Sequence, residues 1–378
     1  MKHSITQFTG TQRLKYHSHF TDYMKKTFYP ILLILTFLNY SPVSAQFANP
    51  NGDLKPVDDD EIWAKTLEGS HYNEMWNYHF YLNDGLIVHL AFSVANFGSF
   101  KSPVSGLQMS IYNLDGELYQ VSREYPINEL IQDREKQLFK LHENRTILFR
   151  GKLPKEHQVH VEFTKHDVFY KVKLDFSNIH RGLKWGDGTY HIQGDDVGII
   201  THIPYAEVRG TVAVNDVEKS VKGTAYMDHT YQDRATTDLV QSGYRFVHQQ
   251  NSQNWDTLYY LLPKNNARNY TVGLRIKKEN GKLSVNGTKR ISRMNSSEVF
   301  DVSIARIMDL EMEKEPDIRL TRTYDYEKFS ILGELGWFAR RAARSFLGGE
   351  VISVRGRATL METGNRPENG FYNFYTIE

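Results

Sequence analysis

The sequence predicts an all-β protein built as two tandem units of sandwich or barrel type, and three observations carry that reading. The 378 residues include 23 Tyr, 21 Phe and 5 Trp together with 26 Gly. Tyr, Phe, Val and Thr suit half-buried pleated surfaces, so this composition leans towards strands. From residue 71 onward the chain alternates apolar and polar residues in short segments closed by Gly, Asn and Asp turns, the pattern of a sandwich or barrel. Finally, Val221-Lys222-Gly223-Thr224-Ala225 is echoed about 130 residues later by Val354-Arg355-Gly356-Arg357-Ala358, a spacing that fits one small barrel.

The first 45 residues read as an address. Residues 1–23 are polar and look like an upstream extension. Met24 precedes Lys25-Lys26, the largely apolar run Phe28 to Leu38, and Ser41-Pro42-Val43-Ser44-Ala45. A basic stretch, a short apolar run and small residues at the −3 and −1 positions make a secretory signal peptide, cleaved near Ala45. The run is shorter than the ~20 apolar residues a bilayer span needs. The chain is therefore expected to be exported, periplasmic or extracellular. Residues 46–70, with the acidic run Asp58-Asp59-Asp60-Glu61, read as a solvated linker. The first barrel is expected over 71–235 and the second over 240–378.

Strand signals then follow in order. Trp76 to Leu82 ends at Asn83-Asp84-Gly85, and Leu86 to Ala95 ends at Asn96. Leu107 to Leu114 runs into Asp115-Gly116, a strong hairpin signal. Val168 to Phe176 places Val168, Tyr170, Val172, Leu174 and Phe176 on one face, with Lys171, Lys173 and Asp175 on the other. The second half repeats the style in Leu258 to Leu262, Tyr270 to Lys277 and Leu283 to Arg290, with Asn280-Gly281 as a turn. Helical signal is confined to residues 126–140 and Leu332 to Leu347, the latter closed by Gly348-Gly349. In that second stretch Arg340, Arg341 and Arg344 flank an apolar stripe beside Trp337 and Phe338. The arrangement suits either peripheral membrane contact through 332–347 or a helix packed across a barrel mouth.

Composition excludes several function classes. Lys+Arg number 46 and Asp+Glu 45; without the first 45 residues, 41 bases face 44 acids, a net charge of −3. Nucleic-acid binding would need a basic excess on one face, so no nucleic acid is expected. The chain has no cysteine, which removes disulfides, zinc-thiolate sites and thiol catalysis. His71, His79, His229 and His248 lack the close pairings of a zinc site, and His157, His160 and Glu162, which lie closer together, read as one exposed hairpin, so no metal is expected. Nor is a cofactor expected, because no phosphate-cradling loop appears.

One motif is fairly specific. Gly223-Thr224-Ala225-Tyr226-Met227-Asp228-His229 resembles the Asp-His strand of a lipocalin-like superfamily. Its members include hydroxyneurosporene synthase (the carotenoid hydratase), AttH-type secreted proteins, survival-factor proteins and fungal Diels–Alderases. Glu74-Met75-Trp76-Asn77-Tyr78 resembles that family's opening strand, Lys184-Trp185-Gly186-Asp187-Gly188 the stretch before the motif, and Glu362-Thr363-Gly364 its closing strand. The resemblance implies two tandem lipocalin-like β-barrels with one or two short helices, and a site for a hydrophobic, lipid- or isoprenoid-like small molecule. It also makes Tyr226 and Asp228 the candidate catalytic residues, should the chain be a hydratase, cyclase or isomerase. The carotenoid hydratase's His-x-Trp has His202-Ile203-Pro204 in its place, with proline where a tryptophan would face a carbocation.

Read as a strand, the motif turns Thr224, Tyr226, Asp228 and Thr230 to one face, and Met227, His229 and Tyr231 to the other. Tyr226 and Asp228 then stand roughly 7 Å apart. A carboxyl group buried against aromatics resists ionisation and serves as a general acid towards an alkene; the competing role for the same pair is a satisfied structural corner. Candidate ligand-binding residues in a barrel mouth or between the barrels are Trp76, Tyr78, Trp185, Tyr226 and Asp228. His229, Tyr244, Trp255 and Tyr259 complete the set. The readings in order are an exported carrier of a hydrophobic molecule, an enzyme acting on an isoprenoid with Asp228 as acid, and a non-catalytic envelope protein that binds another protein.

Overall fold

A computed structural model describes residues 47–378, apart from 66–68, 100, 315, 331, 334–339, 342 and 346–347. The signal peptide expected over 1–45 lies outside the described residues. So does most of the helix expected over 332–347, including Trp337 and Phe338; residues 340–341 and 343–345 are helical.

The first half of the chain forms β1 (Phe47–Ala48), β2 (Leu54–Pro56), β3 (Asn73–Leu82), β4 (Ile87–Ala95), β5 (Val104–Tyr112) and β6 (Leu118–Pro126). Then come β7 (Ile131–Asp133), β8 (Leu138–Lys140), β9 (Thr146–Arg150), β10 (Gln158–Lys165) and β11 (Val168–Ser177). After these come β12 (Leu183–Trp185), β13 (Thr189–Ile192), β14 (Asp195–Val214) and β15 (Val217–Gln232). The main path of this curled sheet is β6-β5-β4-β3-β15-β14-β11-β10-β9-β8-β7. A short helix, Thr236–Leu239, leads into the second half. There β16 (Val240–Asn251), β17 (Asn254–Pro263), β18 (Val272–Glu279) and β19 (Lys282–Val299) are followed by β20 (Val302–Met312), β21 (Ile318–Ser330), β22 (Val351–Glu362) and β23 (Glu368–Ile377). These eight close into a barrel, sealed by the β16–β23 ladder.

Two-residue alternation fills both interiors. In the first, Trp76, Tyr78 and Phe80 of β3 meet Leu90 and Phe92 of β4 and Phe149 of β9 in one apolar core. In the second, Tyr244, Leu258, Tyr260, Leu310, Leu320 and Phe374 do the same. A third apolar cluster lies between the two: Trp185, Tyr190 and Ile199 from the first half pack with Trp255, Leu261 and Leu274 from the second.

The sequence echo has a steric cause. A Cβ on Gly223 would lie 2.1 Å from the Tyr81 carbonyl oxygen, and one on Gly356 would lie 2.1 Å from that of Tyr324. In each half a bare glycine lets one strand cross close to its neighbour, where any side chain would force the backbone apart.

Two expectations are corrected. Residues 126–140 are not helical: a single 3₁₀ turn, Ile127–Glu129, precedes the β7–β8 hairpin. Residue Gln137 at φ 50° closes that hairpin, and Phe139 goes into the first core. Nor is 46–70 a free linker. Strand β1 pairs with β13 and β2 with β12, while Ile62 and Trp63 are buried. The Trp76 indole donates to the Ile62 carbonyl at 2.7 Å, so the segment caps an interior that would otherwise leave that N–H unpaired.

Candidate functional site

The face of β3 opposite its core carries Met75, Asn77, His79 and Tyr81, and it too is covered. Antiparallel register sets its side chains in rows. One row runs Tyr226, His79, His89, Ser110 across β15, β3, β4 and β5; the next runs Asp228, Asn77, Ala91, Gln108. Facing them, the outer surface of the closed barrel aligns Tyr259, Arg245, Asn373, Arg355 and Glu327 across β17, β16, β23, β22 and β21. Where the two surfaces meet, a cavity encloses about 850 Å³ of empty space, part of it open to solvent. Met75, Val197, Leu261, Phe329 and Val351 supply apolar wall; Asn77, Gln108, Arg245, Arg355 and Asn373 supply polar groups. A smaller recess of about 270 Å³ shares Asn77, Ala91, Arg355 and Asn373 with it and reaches His79, His89 and Ser110.

Two buried ion pairs form the polar floor. Asp228 accepts from Arg245 Nε at 2.5 Å and Nη2 at 2.9 Å, and from Asn77 Nδ2 at 2.8 Å. The Tyr226 hydroxyl also bonds to it, and to Thr201. The Arg245 guanidinium stacks 4.8 Å from the Tyr259 ring centre. Glu327, fully buried, accepts from Arg355 Nη1 at 2.8 Å, Ser110 Oγ at 3.0 Å and Gln120 Nε2 at 2.9 Å. The first pair joins the two halves directly, through Asp228 of β15 and Arg245 of β16; the second lies within the closed barrel and reaches the first half through Ser110 of β5 and Gln120 of β6.

Above this floor the histidines are neutral. Burial, then His89 and the two arginines, holds His79 well below the usual histidine range; burial, then Arg355 and Arg245, does the same to His89. Their rings meet edge-to-face at 4.7 Å, and His89 Nε2 bonds the Tyr326 hydroxyl at 3.0 Å. Burial, reinforced by Asp228, raises the Tyr226 phenol well above its ordinary value. Four buried atoms here lack a hydrogen-bond partner: His79 Nε2, His89 Nδ1, Arg355 Nε and Asn373 Oδ1.

The residues singled out from the sequence part company. Asp228 and Tyr226 are buried on an extended strand facing the second barrel, beside Tyr259, which lines the cavity. His229 points the other way, stacked on Trp76 at 4.6 Å and bonded to Glu74 at 2.8 Å inside the first core. Tyr78 lies in that core too, its hydroxyl on His157 at 2.9 Å. Tyr244 is inside the closed barrel, and Trp185 and Trp255 pack in the apolar cluster between the halves. Sequence reading missed Asn77, His79, His89, Arg245 and Arg355. The available signal was the run Leu86 to Ala95, apolar at both parities, which marks a strand covered on both faces.

The arrangement changes the chemistry open to Asp228. Both of its oxygens already accept bonds from Arg245, and Asp228 stands behind that arginine, outside the residues that line the cavity and its recess. His79 and His89 each keep an open ring nitrogen, but the burial and the arginines that hold them uncharged also make them weak bases, suited to hydrogen bonding more than to proton abstraction. Among the described residues no cluster of three metal-ligating side chains occurs.

Fold and cavity together define a two-barrel lipocalin-like protein with its recess between the barrels. No protein-family model and no curated protein matches the sequence. Solved structures do share the fold. A candidate AttH protein from Nitrosomonas europaea aligns with a TM-score of 0.60 and 10% identity over 86% of this chain and 98% of its own. Kievitone hydratase from Nectria haematococca gives 0.52 and 10% identity over 88% and 97%. CghA with Sch210972 gives 0.55 and 12% over 86% and 98%.

Proposed function

We propose that this chain binds a hydrophobic small molecule in the cavity between its two barrels. The observation that carries the reading is the cavity itself, where apolar side chains such as Met75, Leu261 and Phe329 stand beside polar groups contributed by both facing sheets, a lining that would hold a molecule with an apolar body and a polar end. The test is mass spectrometry of organic extracts from the purified protein and from an Ala91→Trp variant, whose indole fills the recess. A lipid or isoprenoid recovered from the wild type and lost from the variant is expected. Equal recovery from both would contradict the reading. Export accompanies this proposal: the order of basic, apolar and small residues over 24–45 supports it, and N-terminal sequencing of the mature protein starting at Gln46 would establish it.

A second reading is an enzyme at the same site, favoured by the neutral His79–His89 pair. Held uncharged by burial and the nearby arginines, these imidazoles would hydrogen-bond a substrate carbonyl oxygen and so acidify its α-C–H, without serving as strong bases themselves. Incubating a bound carbonyl compound in D₂O tests it: deuterium should enter the α-carbon, and no incorporation above the protein-free rate would exclude it.

A further inference from the structure

Resting on the inter-barrel reading, we infer that the ligand is uncharged and carries a neutral oxygen function, a hydroxyl or carbonyl, rather than a carboxylate or phosphate. Charge pairing carries the argument. Among the described lining residues of the cavity and its side recess, the permanent cations are Arg245 and Arg355. Each is already matched by a buried anion, Asp228 and Glu327 respectively. The floor therefore has no net charge to offer an anionic headgroup, and an anion entering there would lose water without gaining a counter-charge.

The polar atoms left over describe what would fit. Arg355 Nε is a donor without an acceptor, and Asn373 Oδ1 is an acceptor without a donor. Both residues line the cavity and the recess. Across the gap, His79 Nε2 and His89 Nδ1 are also open; a neutral imidazole nitrogen donates or accepts according to its tautomer. A hydroxyl, which donates once and accepts, satisfies such a mixed set; a carbonyl, which only accepts, pairs with Arg355 Nε and an imidazole N–H; and a bare hydrocarbon leaves all four orphaned. Burial keeps the histidines neutral, so they add no positive charge that would favour an anion near neutral pH.

Retinol, retinal and retinoate test this, because they share one apolar body and differ in the polar end. Titration of the purified protein at pH 7.5, followed by retinoid fluorescence and calorimetry, should give retinol or retinal at least about tenfold tighter than retinoate. In a His79→Phe/His89→Phe double variant, which keeps the ring shapes, retinol and retinal should weaken by about tenfold and lose their margin over retinoate. Asn373→Leu, outside the histidine pair, should weaken retinol in the same direction and serves if the double variant melts early. Retinoate binding as tight as retinol would overturn the inference while leaving the cavity reading intact. Retinoid binding unchanged by Ala91→Trp would overturn the cavity reading instead, and the inference with it.

Discussion

Substituting Asp228 by Asn removes one charge from a site where nothing else can replace it. Asp228 is fully buried and Arg245 only 5% exposed. The guanidinium makes two of its bonds to that carboxylate, and it cannot lose its proton in a protein. Breaking one partner of a buried ion pair costs about 3–5 kcal/mol, because the other charge is left uncompensated. Unfolding entropy near 2.1 cal/mol/K per residue over roughly 330 residues makes 1 kcal/mol worth about 1.5 °C, so Tm should fall by about 4–7 °C. Scanning calorimetry and urea titration of Asp228→Asn, Arg245→Met and the double variant form the assay. The double variant should recover most of the loss, giving a coupling energy of about 2 kcal/mol or more. A loss under about 1 kcal/mol for Asp228→Asn, with no coupling to Arg245, would refute the buried-pair argument.

Three further outcomes follow from the same geometry. Gly223→Ala must push a Cβ against the Tyr81 carbonyl; an overpacking cost of about 1–3 kcal/mol is expected by urea titration, and a neutral result would refute the close crossing. Burial, then Asp256, raises the Glu368 carboxyl to about 7. The native state therefore holds that proton more tightly than the unfolded chain, and stability falls as pH rises from the unfolded Glu value near ~4.3 to about 7; Glu368→Gln should flatten this limb in Tm measured from pH 4.5 to 8. His157 has the opposite sign, since burial lowers it to about 3: stability present above the unfolded value of about 6.5 is lost as pH falls towards 3, and His157→Phe should make that acid limb less steep.

Much of the fold was legible because alternation reports on a strand whichever barrel it joins. Val168 to Phe176 reads as β11 directly, and Asn83-Asp84-Gly85 and Asn280-Gly281 mark turns that the chain makes. The 126–140 segment misled because Ile127, Leu130 and Ile131 fit a helical stripe as well as an edge hairpin, and only pairing between β7 and β8 decides it. The linker expected over 46–70 failed for a related reason. Phe47, Leu54 and Trp63 are too irregularly spaced to read as an element, yet each finds a partner surface from a distant strand.

The site was legible only in part. Tyr226 and Asp228 share a buried face as the alternation predicts. The sequence cannot say what covers that face, because Arg245 and Arg355 come from strands of the other barrel. A positive side chain at a half-buried strand position reads as solvated until its partner is known. Aromatics misled in the other direction: Trp76, Tyr78 and Tyr244 are large enough to line a pocket, and all three instead fill barrel interiors.

Photoaffinity labelling with a long-chain alcohol carrying a diazirine, read residue by residue, would test the location of the ligand most directly. Adducts should fall on the facing walls of the inter-barrel recess, at Met75, Phe329 and Tyr375, and fade when the recess is filled by Ala91→Trp. Adducts confined to Phe92 and Phe139 inside the first sheet, or to Tyr260 inside the closed barrel, would contradict it.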